Sequence, residues 1–147
     1  MSEGAPHRLS LRVYWEDTDA AGIVYYANYL KFAERGRTEL LRALGIDQGA
    51  LRAETGIAFA VRRCTCEYLR PARLDDALVV ETALAAVGAA SCEMRQTVLR
   101  GAQVLAELDV TVACVAASGR PARLPPAIRH ALAAFAGQFP AAIEERR

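Results

Sequence analysis

Residues 26–45 read Tyr26-Ala27-Asn28-Tyr29-Leu30-Lys31-Phe32-Ala33-Glu34-Arg35-Gly36-Arg37-Thr38-Glu39-Leu40-Leu41-Arg42-Ala43-Leu44-Gly45, and their periodicity decides the fold class. Tyr29, Phe32, Ala33, Gly36, Leu40, Ala43 and Leu44 recur at steps of three or four, while Lys31, Glu34, Arg35, Thr38, Glu39 and Arg42 fill the other side. That period predicts an amphipathic helix from about Tyr26 to Leu44, stopped by Gly45 where a C-terminal cap favours glycine. Gly36 stands in the middle of the apolar face, where glycine costs roughly 1 kcal/mol against alanine. Close approach of the helix to a sheet would offset that cost. The spacings of Glu34 with Arg37 and of Arg35 with Glu39 suit surface ion pairs.

Working outward, Leu9, Leu11, Val13 and Trp15 alternate with Ser10, Arg12 and Tyr14, the period of a half-buried strand. A polar turn follows, Glu16-Asp17-Thr18-Asp19-Ala20-Ala21-Gly22, and then the short apolar run Ile23-Val24-Tyr25. Downstream of the helix, Gln48–Thr55 reads as a short second helix. Ile57–Arg70, Ala77–Val87, Ser91–Arg100 and Gln103–Ala116 read as strands, the last two joined by a tight Gly101-Ala102 turn. Pro125–Phe135 reads as a helix with proline at its start. The order β-α-β-β-β-β predicts an α+β fold, one long helix wrapped by a curved antiparallel sheet. The whole chain, 1–147, is expected to form one domain with its core at about 9–125 and the last helix after it. Edge strands left by such a sheet invite pairing with another copy, so a homo-oligomer is expected.

Composition removes several functions. With 147 residues, 18 basic against 17 acidic groups and a formal net charge of +1, the chain has no electrostatic footprint for nucleic acid or an anionic membrane surface. Met1–Pro6 lacks an apolar core, and no window reaches the roughly 18 uncharged apolar residues a span requires, so neither export nor membrane insertion is expected and the cytoplasm is the default location. Alanine supplies 30 residues, and 17 of the 18 basic residues are arginine, Lys31 being the exception. The arginine surplus reflects either a base-composition bias or planar recognition of phosphates. Cys64, Cys66, Cys92 and Cys114 are not clustered, and the Cys64-Thr65-Cys66 spacing is not that of a zinc or dithiol site. On a strand Cys64 and Cys66 share a face, and small apolar packing is their expected role. His7 and His130 have no partner at metal-ligand spacing, so no metal is expected.

Chemistry is to be sought between the first strand and the long helix. Asp17 and Asp19 stand in a short loop just ahead of the helix start, where unpaired backbone N–H groups and partial positive charge make a natural oxyanion hole. A carboxylate there can act as nucleophile or as general base for water. By spacing alone, Asp-Thr-Asp also fits ordinary turn chemistry.

The run Arg12-Val13-Tyr14-Trp15-Glu16-Asp17-Thr18-Asp19-Ala20-Ala21-Gly22-Ile23-Val24-Tyr25-Tyr26-Ala27-Asn28-Tyr29 resembles the signature of the 4-hydroxybenzoyl-CoA thioesterase family of hotdog-fold proteins. Phe32–Leu41 and Pro71-Ala72-Arg73-Leu74-Asp75-Asp76 are similar to its YbgC-type branch, the Tol-Pal-associated acyl-CoA thioesterases, and the similarity runs from about Leu11 to Pro125. The resemblance implies a hotdog fold and hydrolysis of an acyl-CoA, or of an acyl group on a carrier protein, without metal or cofactor. It implies that Asp19 attacks the thioester carbonyl or activates the water that does, and that the backbone N–H of Tyr26 polarises that carbonyl. Gly22 would let the loop approach the substrate closely. Asp17 is expected to organise the loop, since two carboxylates pointing into one pocket repel.

Three departures bear on this reading. Tyr26 stands where many YbgC-type proteins have histidine, and Trp15 where that branch often has tyrosine. The turn Val87-Gly88-Ala89-Ala90-Ser91 carries no charge for CoA phosphates; Arg120 and Arg123, or Arg62, Arg63, Arg70 and Arg73, would replace that contact. The alternative function is therefore a weakly active or non-catalytic partner that binds acyl-CoA or acyl carrier protein in an envelope or lipid-synthesis complex. The resemblance also favours a tetramer built from paired dimers.

Overall fold

The computed structural model describes residues 5–137; the ends of the expected 1–147 domain, residues 1–4 and 138–147, lie outside the described residues. Its elements run β1 (His7–Arg12), α1 (Asn28–Ala43), α2 (Gln48–Thr55), β2 (Ala58–Tyr68), β3 (Ala77–Val87), β4 (Ser91–Arg100), β5 (Gln103–Val115) and α3 (Pro126–Ala136). The five strands form one antiparallel sheet in the order β1-β3-β4-β5-β2. This is the α+β hotdog architecture.

Alternate residues of the middle strands face the helix: Leu78, Val80, Thr82 and Leu84 on β3, Cys92, Met94, Gln96 and Val98 on β4, and Leu108, Val110, Val112 and Cys114 on β5, all buried. Against them α1 buries Tyr29, Phe32, Ala33, Gly36, Leu40 and Leu41, close to the stripe its period predicts. Register shifts at Val61/Arg63 on β2, Leu84/Ala86 on β3 and Val98/Leu99 between β4 and β5 bend the sheet around the helix.

Gly36 sets the helix-to-sheet distance. A Cβ there would lie 2.8 Å from Val80 Cγ1, 3.0 Å from Thr82 Oγ1 and 3.1 Å from Gln96 Nε2, so only glycine fits without movement. The buried polar pair beneath it is fully bonded. Gln96 Nε2 donates to the Ala33 carbonyl (2.8 Å) and to Thr82 Oγ1 (2.9 Å), and its Oε1 accepts from Arg37 (3.0 Å). The expected surface pairs on α1 are thereby corrected. Arg37 turns inward to Gln96, Arg35 lies over the Phe32 ring at 5.9 Å, and Glu39 pairs with Arg42. A buried amide oxygen and an aromatic face outcompete exposed carboxylates, whose pairing is worth only about 0.3–0.5 kcal/mol.

Helix α1 starts two residues later than its periodicity suggests, because Tyr25–Ala27 form a turn in which Asn28 N–H donates to the Tyr25 carbonyl (2.8 Å). It ends as expected, with Gly45 at φ +82° and the paired bonds Gly45 N–H to Arg42 and Ile46 N–H to Leu41. Strand β1 stops at Arg12, and Trp15 sits in a single 3₁₀ turn, Trp15–Asp17. Cys64 departs from the packing role expected of it: it is exposed on β2, whereas Cys92 and Cys114 are buried and all four thiols are free. Among the described residues no helix is long and apolar enough to cross a membrane.

Candidate active site

The loop between β1 and α1 is folded by its own carboxylates. Thr18 and Val24 form an antiparallel bridge, closed by Asp19 N–H to Ile23 (2.9 Å) and Gly22 N–H to Asp19 (2.9 Å). Gly22 sits at φ +82°, which an L side chain rarely adopts. A Cβ on Gly22 would meet nothing within 4 Å, so within the chain glycine serves the turn's dihedral rather than a tight contact.

Asp19 is half-buried, and its Oδ1 accepts N–H bonds from Ala21 (2.9 Å) and Ile23 (3.4 Å). Two backbone donors on one oxygen hold the carboxylate in one orientation and leave Oδ2 without a partner among the described residues. Asp17 has a different task. Its Oδ2 accepts the Tyr14 N–H (2.8 Å), while its carbonyl takes the Asn28 side-chain amide (2.8 Å) and the Tyr25 N–H (2.9 Å). Asp17 thus ties the loop to the first residue of α1, as a loop-organising residue should.

The helix start is open. Amides of Val24, Tyr25, Asn28, Tyr29 and Leu30 all donate to backbone carbonyls, but those of Tyr26 and Ala27 have no acceptor among the described residues. Ala27 occupies the N-cap position without a side-chain cap bond. Unpaired N–H groups at the positive end of a helix dipole are suited to an oxygen that gains negative charge. The two tyrosine rings before the helix meet with their centroids 4.8 Å apart and their planes tilted by 51°. The Tyr25 phenol is pushed above its ordinary 10.0, first by the Tyr26 side chain, with the Asp19 charge among the smaller causes. Asp19 and the Tyr25–Tyr26 pair therefore share one electrostatic neighbourhood.

A second loop braces the first. The Val24 N–H donates to the Ala72 carbonyl (2.8 Å), the Ala72 N–H to the buried Tyr29 hydroxyl (3.0 Å), and Ile23 bridges to Arg73. Pro71–Asp76 is held in turn by Arg100, which donates to the Pro71 carbonyl (3.2 Å) and to Asp76 Oδ2 (2.8 Å). Burial alone would raise the Asp76 carboxyl, but the Arg73 amide, the Arg100 hydrogen bond and the charges of both arginines outweigh it and hold it below 3.8.

Beside the first turns of α1, a groove of about 310 Å³ runs between the helix and β2, lined by Leu30, Ala33, Val61, Cys64, Leu108 and Val110 among others. Its wall is mostly apolar, with Lys31, Glu34 and Arg37 on the helix side. Arg120 and Arg123 are not brought to this place. They follow the end of β5 at Val115, which pairs with Ala58, whereas the site lies at the Tyr68 end, opposite Ala106. Positions 106 and 115 of one strand are about 30 Å apart at ~3.3 Å per residue. Exposed Arg70 and Arg73 flank Ala72 and are the nearer cations. The sequence reading missed Tyr68, whose hydroxyl reaches the Tyr26 carbonyl at 2.9 Å; on a strand it reads as an ordinary β-former, and no local motif marks it.

Among known proteins, the Thioesterase-like superfamily matches residues 13–132, a span that contains both loops and the helix. Acyl-CoA thioesterase YbgC of Haemophilus influenzae is 46% identical over 105 residues, 71% of this chain and 77% of that protein. A probable thioesterase from Bartonella henselae superposes with a TM-score of 0.80 at 37% identity, over 82% of this chain and all 100% of that one. A Thermus thermophilus thioesterase solved with coenzyme A and Zn superposes at 0.76 with 31% identity, over 92% and 97% of the two chains. With both loops, the long helix and strands β2–β5 inside the matched span, the chain belongs to the thioesterase-like superfamily of hotdog proteins, in the YbgC-type branch.

Proposed function

We propose that the protein is an acyl-CoA thioesterase in which Asp19 is the catalytic carboxylate and the Tyr26 amide the oxyanion donor. The observation that carries this reading is the pairing of an oriented carboxylate, Asp19 with Oδ1 held by two amides, with unpaired N–H groups at the start of α1. Water and the thioester give a carboxylic acid and CoA thiol. Asp19 either attacks the carbonyl carbon, so that the carbon–sulfur bond breaks and water then hydrolyses the anhydride, or it takes a proton from the attacking water. In both routes negative charge builds on the carbonyl oxygen, where one well-placed donor is worth about 2.7–4 kcal/mol. The relatives' names support the substrate class, and a relative's structure with coenzyme A supports the CoA group.

The acyl chain lies in the groove between α1 and β2. Gly22 lets the loop come close to the substrate. Arg70 and Arg73 are the phosphate contacts nearest Asp19, and Arg120 and Arg123 reach CoA from a neighbouring copy, since they stand at the far end of β5. The oligomer, a dimer or a tetramer of paired dimers, forms along β2, an edge strand exposed over most of its length with Val61 at 49%. We place the protein in the cytoplasm, where free thiols such as its four cysteines stay reduced.

The exposure of Trp15 (80%) and Tyr26 (61%) favours one other reading, a non-catalytic partner that binds acyl-CoA or acyl carrier protein through these rings. Thiol release from acyl-CoAs of graded chain length, aromatic acyl-CoAs and an acyl carrier protein separates the two. Multiple turnovers with at least one CoA thioester are expected. Saturable binding without thiol release from any of them would overturn the enzymatic reading.

A further inference from the structure

We propose that Tyr68 is a positioning residue of this site, its hydroxyl fixing the Tyr26–Ala27 peptide so that the Ala27 amide joins that of Tyr26 as a second oxyanion donor. The inference rests on the hydrolytic reading above. Tyr68 is the last residue of β2, and its hydroxyl donates to the Tyr26 carbonyl at 2.9 Å, linking the sheet to the turn before α1. The backbone bond to the same carbonyl, from the Tyr29 N–H, is long at 3.4 Å, so the phenol supplies the tighter hold.

A trans peptide is planar, and its N–H points opposite to its C=O. Anchoring the Tyr26 carbonyl therefore sets the direction of the Ala27 N–H, which has no acceptor among the described residues. A hydrogen bond to the carbonyl also polarises the whole peptide unit and strengthens its N–H as a donor. The two unpaired amides are successive at the helix start, where free N–H groups point the same way along the axis and can meet one oxyanion.

The phenol is itself rigidly mounted. Its ring meets Tyr26 edge-on at 6.3 Å and Tyr29 at 5.3 Å, with interplanar angles of 88° and 82°. The next two amides, of Leu69 and Arg70, both donate to the Leu105 carbonyl, which anchors the strand end to β5. Desolvation, with Cys66 second, pushes the Tyr68 phenol up to about 12, so it remains a proton donor through neutral and mildly alkaline pH.

Tyr68→Phe removes the hydroxyl and keeps the ring contacts. With the full chain, kcat is expected to fall about tenfold while KM and Tm stay near their wild-type values. A carbonyl-free S-alkyl-CoA thioether tests ground-state binding, and its Kd is expected to stay within twofold. A kcat less than threefold below wild type would overturn the proposal. So would a parallel loss of kcat, thioether affinity and Tm, which marks a merely structural role. Asp19→Asn run beside it separates the two levels: a rate unchanged by Asp19→Asn sinks the hydrolytic reading itself, whereas a rate lost with Asp19→Asn but kept with Tyr68→Phe sinks only the role of Tyr68.

Discussion

Asp17, Asp19 and Asp76 lie within one small region and do three different things because their surroundings differ. Asp17 Oδ2 takes the Tyr14 amide and Asp76 Oδ2 the Arg100 guanidinium and the Arg73 amide, whereas Asp19 Oδ1 is held by the Ala21 and Ile23 amides of its own turn. Asp76 carries a pH signature. Its carboxyl is held below 3.8, so its contribution to stability is present above that ordinary value and disappears as pH falls through the lower folded value. Asp76→Asn is therefore expected to lower Tm at pH 7, and the gap from wild type to narrow below about pH 4. Thermal melts across pH 3–7 check this; a gap that widens on acidification would contradict it. Of these roles, that of Asp17 was legible from mutual repulsion of the two loop carboxylates. The clamp of Asp76 was not, because Arg100 lies 24 positions away and only the β3–β4 hairpin brings the two together.

At the scale of elements, the helix and the sheet meet at Gly36. Alanine there gains roughly 1 kcal/mol of helix propensity but must displace Val80 Cγ1 and the bonded pair Thr82–Gln96, and overpacking of that kind costs about 1–3 kcal/mol. Gly36→Ala is expected to lower Tm measurably in calorimetry, whereas an unchanged or higher Tm would show that the helix can lift away freely. Periodicity exposed this element well, since α1 ends at the cap its glycine announces and buries nearly the stripe its spacing marks. The two-residue error at its start matters more for function than for fold. Helical spacing extends back through Tyr26, but Asp17 and the Ile23–Arg73 bridge draw Tyr25–Ala27 into a turn, and that turn is what leaves two amides unpaired. The reach of Arg37 to Gln96 was equally invisible, because a spacing rule compares neighbours on one helix and cannot see a buried amide on the sheet.

The whole molecule leaves its longest exposed edge at β2, beside the groove that would take the acyl chain. The proposed function would couple assembly to catalysis, since a second copy paired along β2 would cover the groove and bring Arg120 and Arg123 of one chain toward the site of another. Light scattering is expected to give two or four chains per particle, and Val61→Glu to reduce both particle mass and kcat/KM. A Val61→Glu variant that dissociates yet keeps full activity would break that coupling. The proposed hydrolysis rests on one carboxylate, that of Asp19. Its most direct measurement is kcat for thiol release by Asp19→Asn, alongside its Tm and its affinity for a CoA thioether. The expected result is a fall of at least about 100-fold in kcat with both controls unchanged; a rate within a few fold of wild type would remove Asp19 from the chemistry.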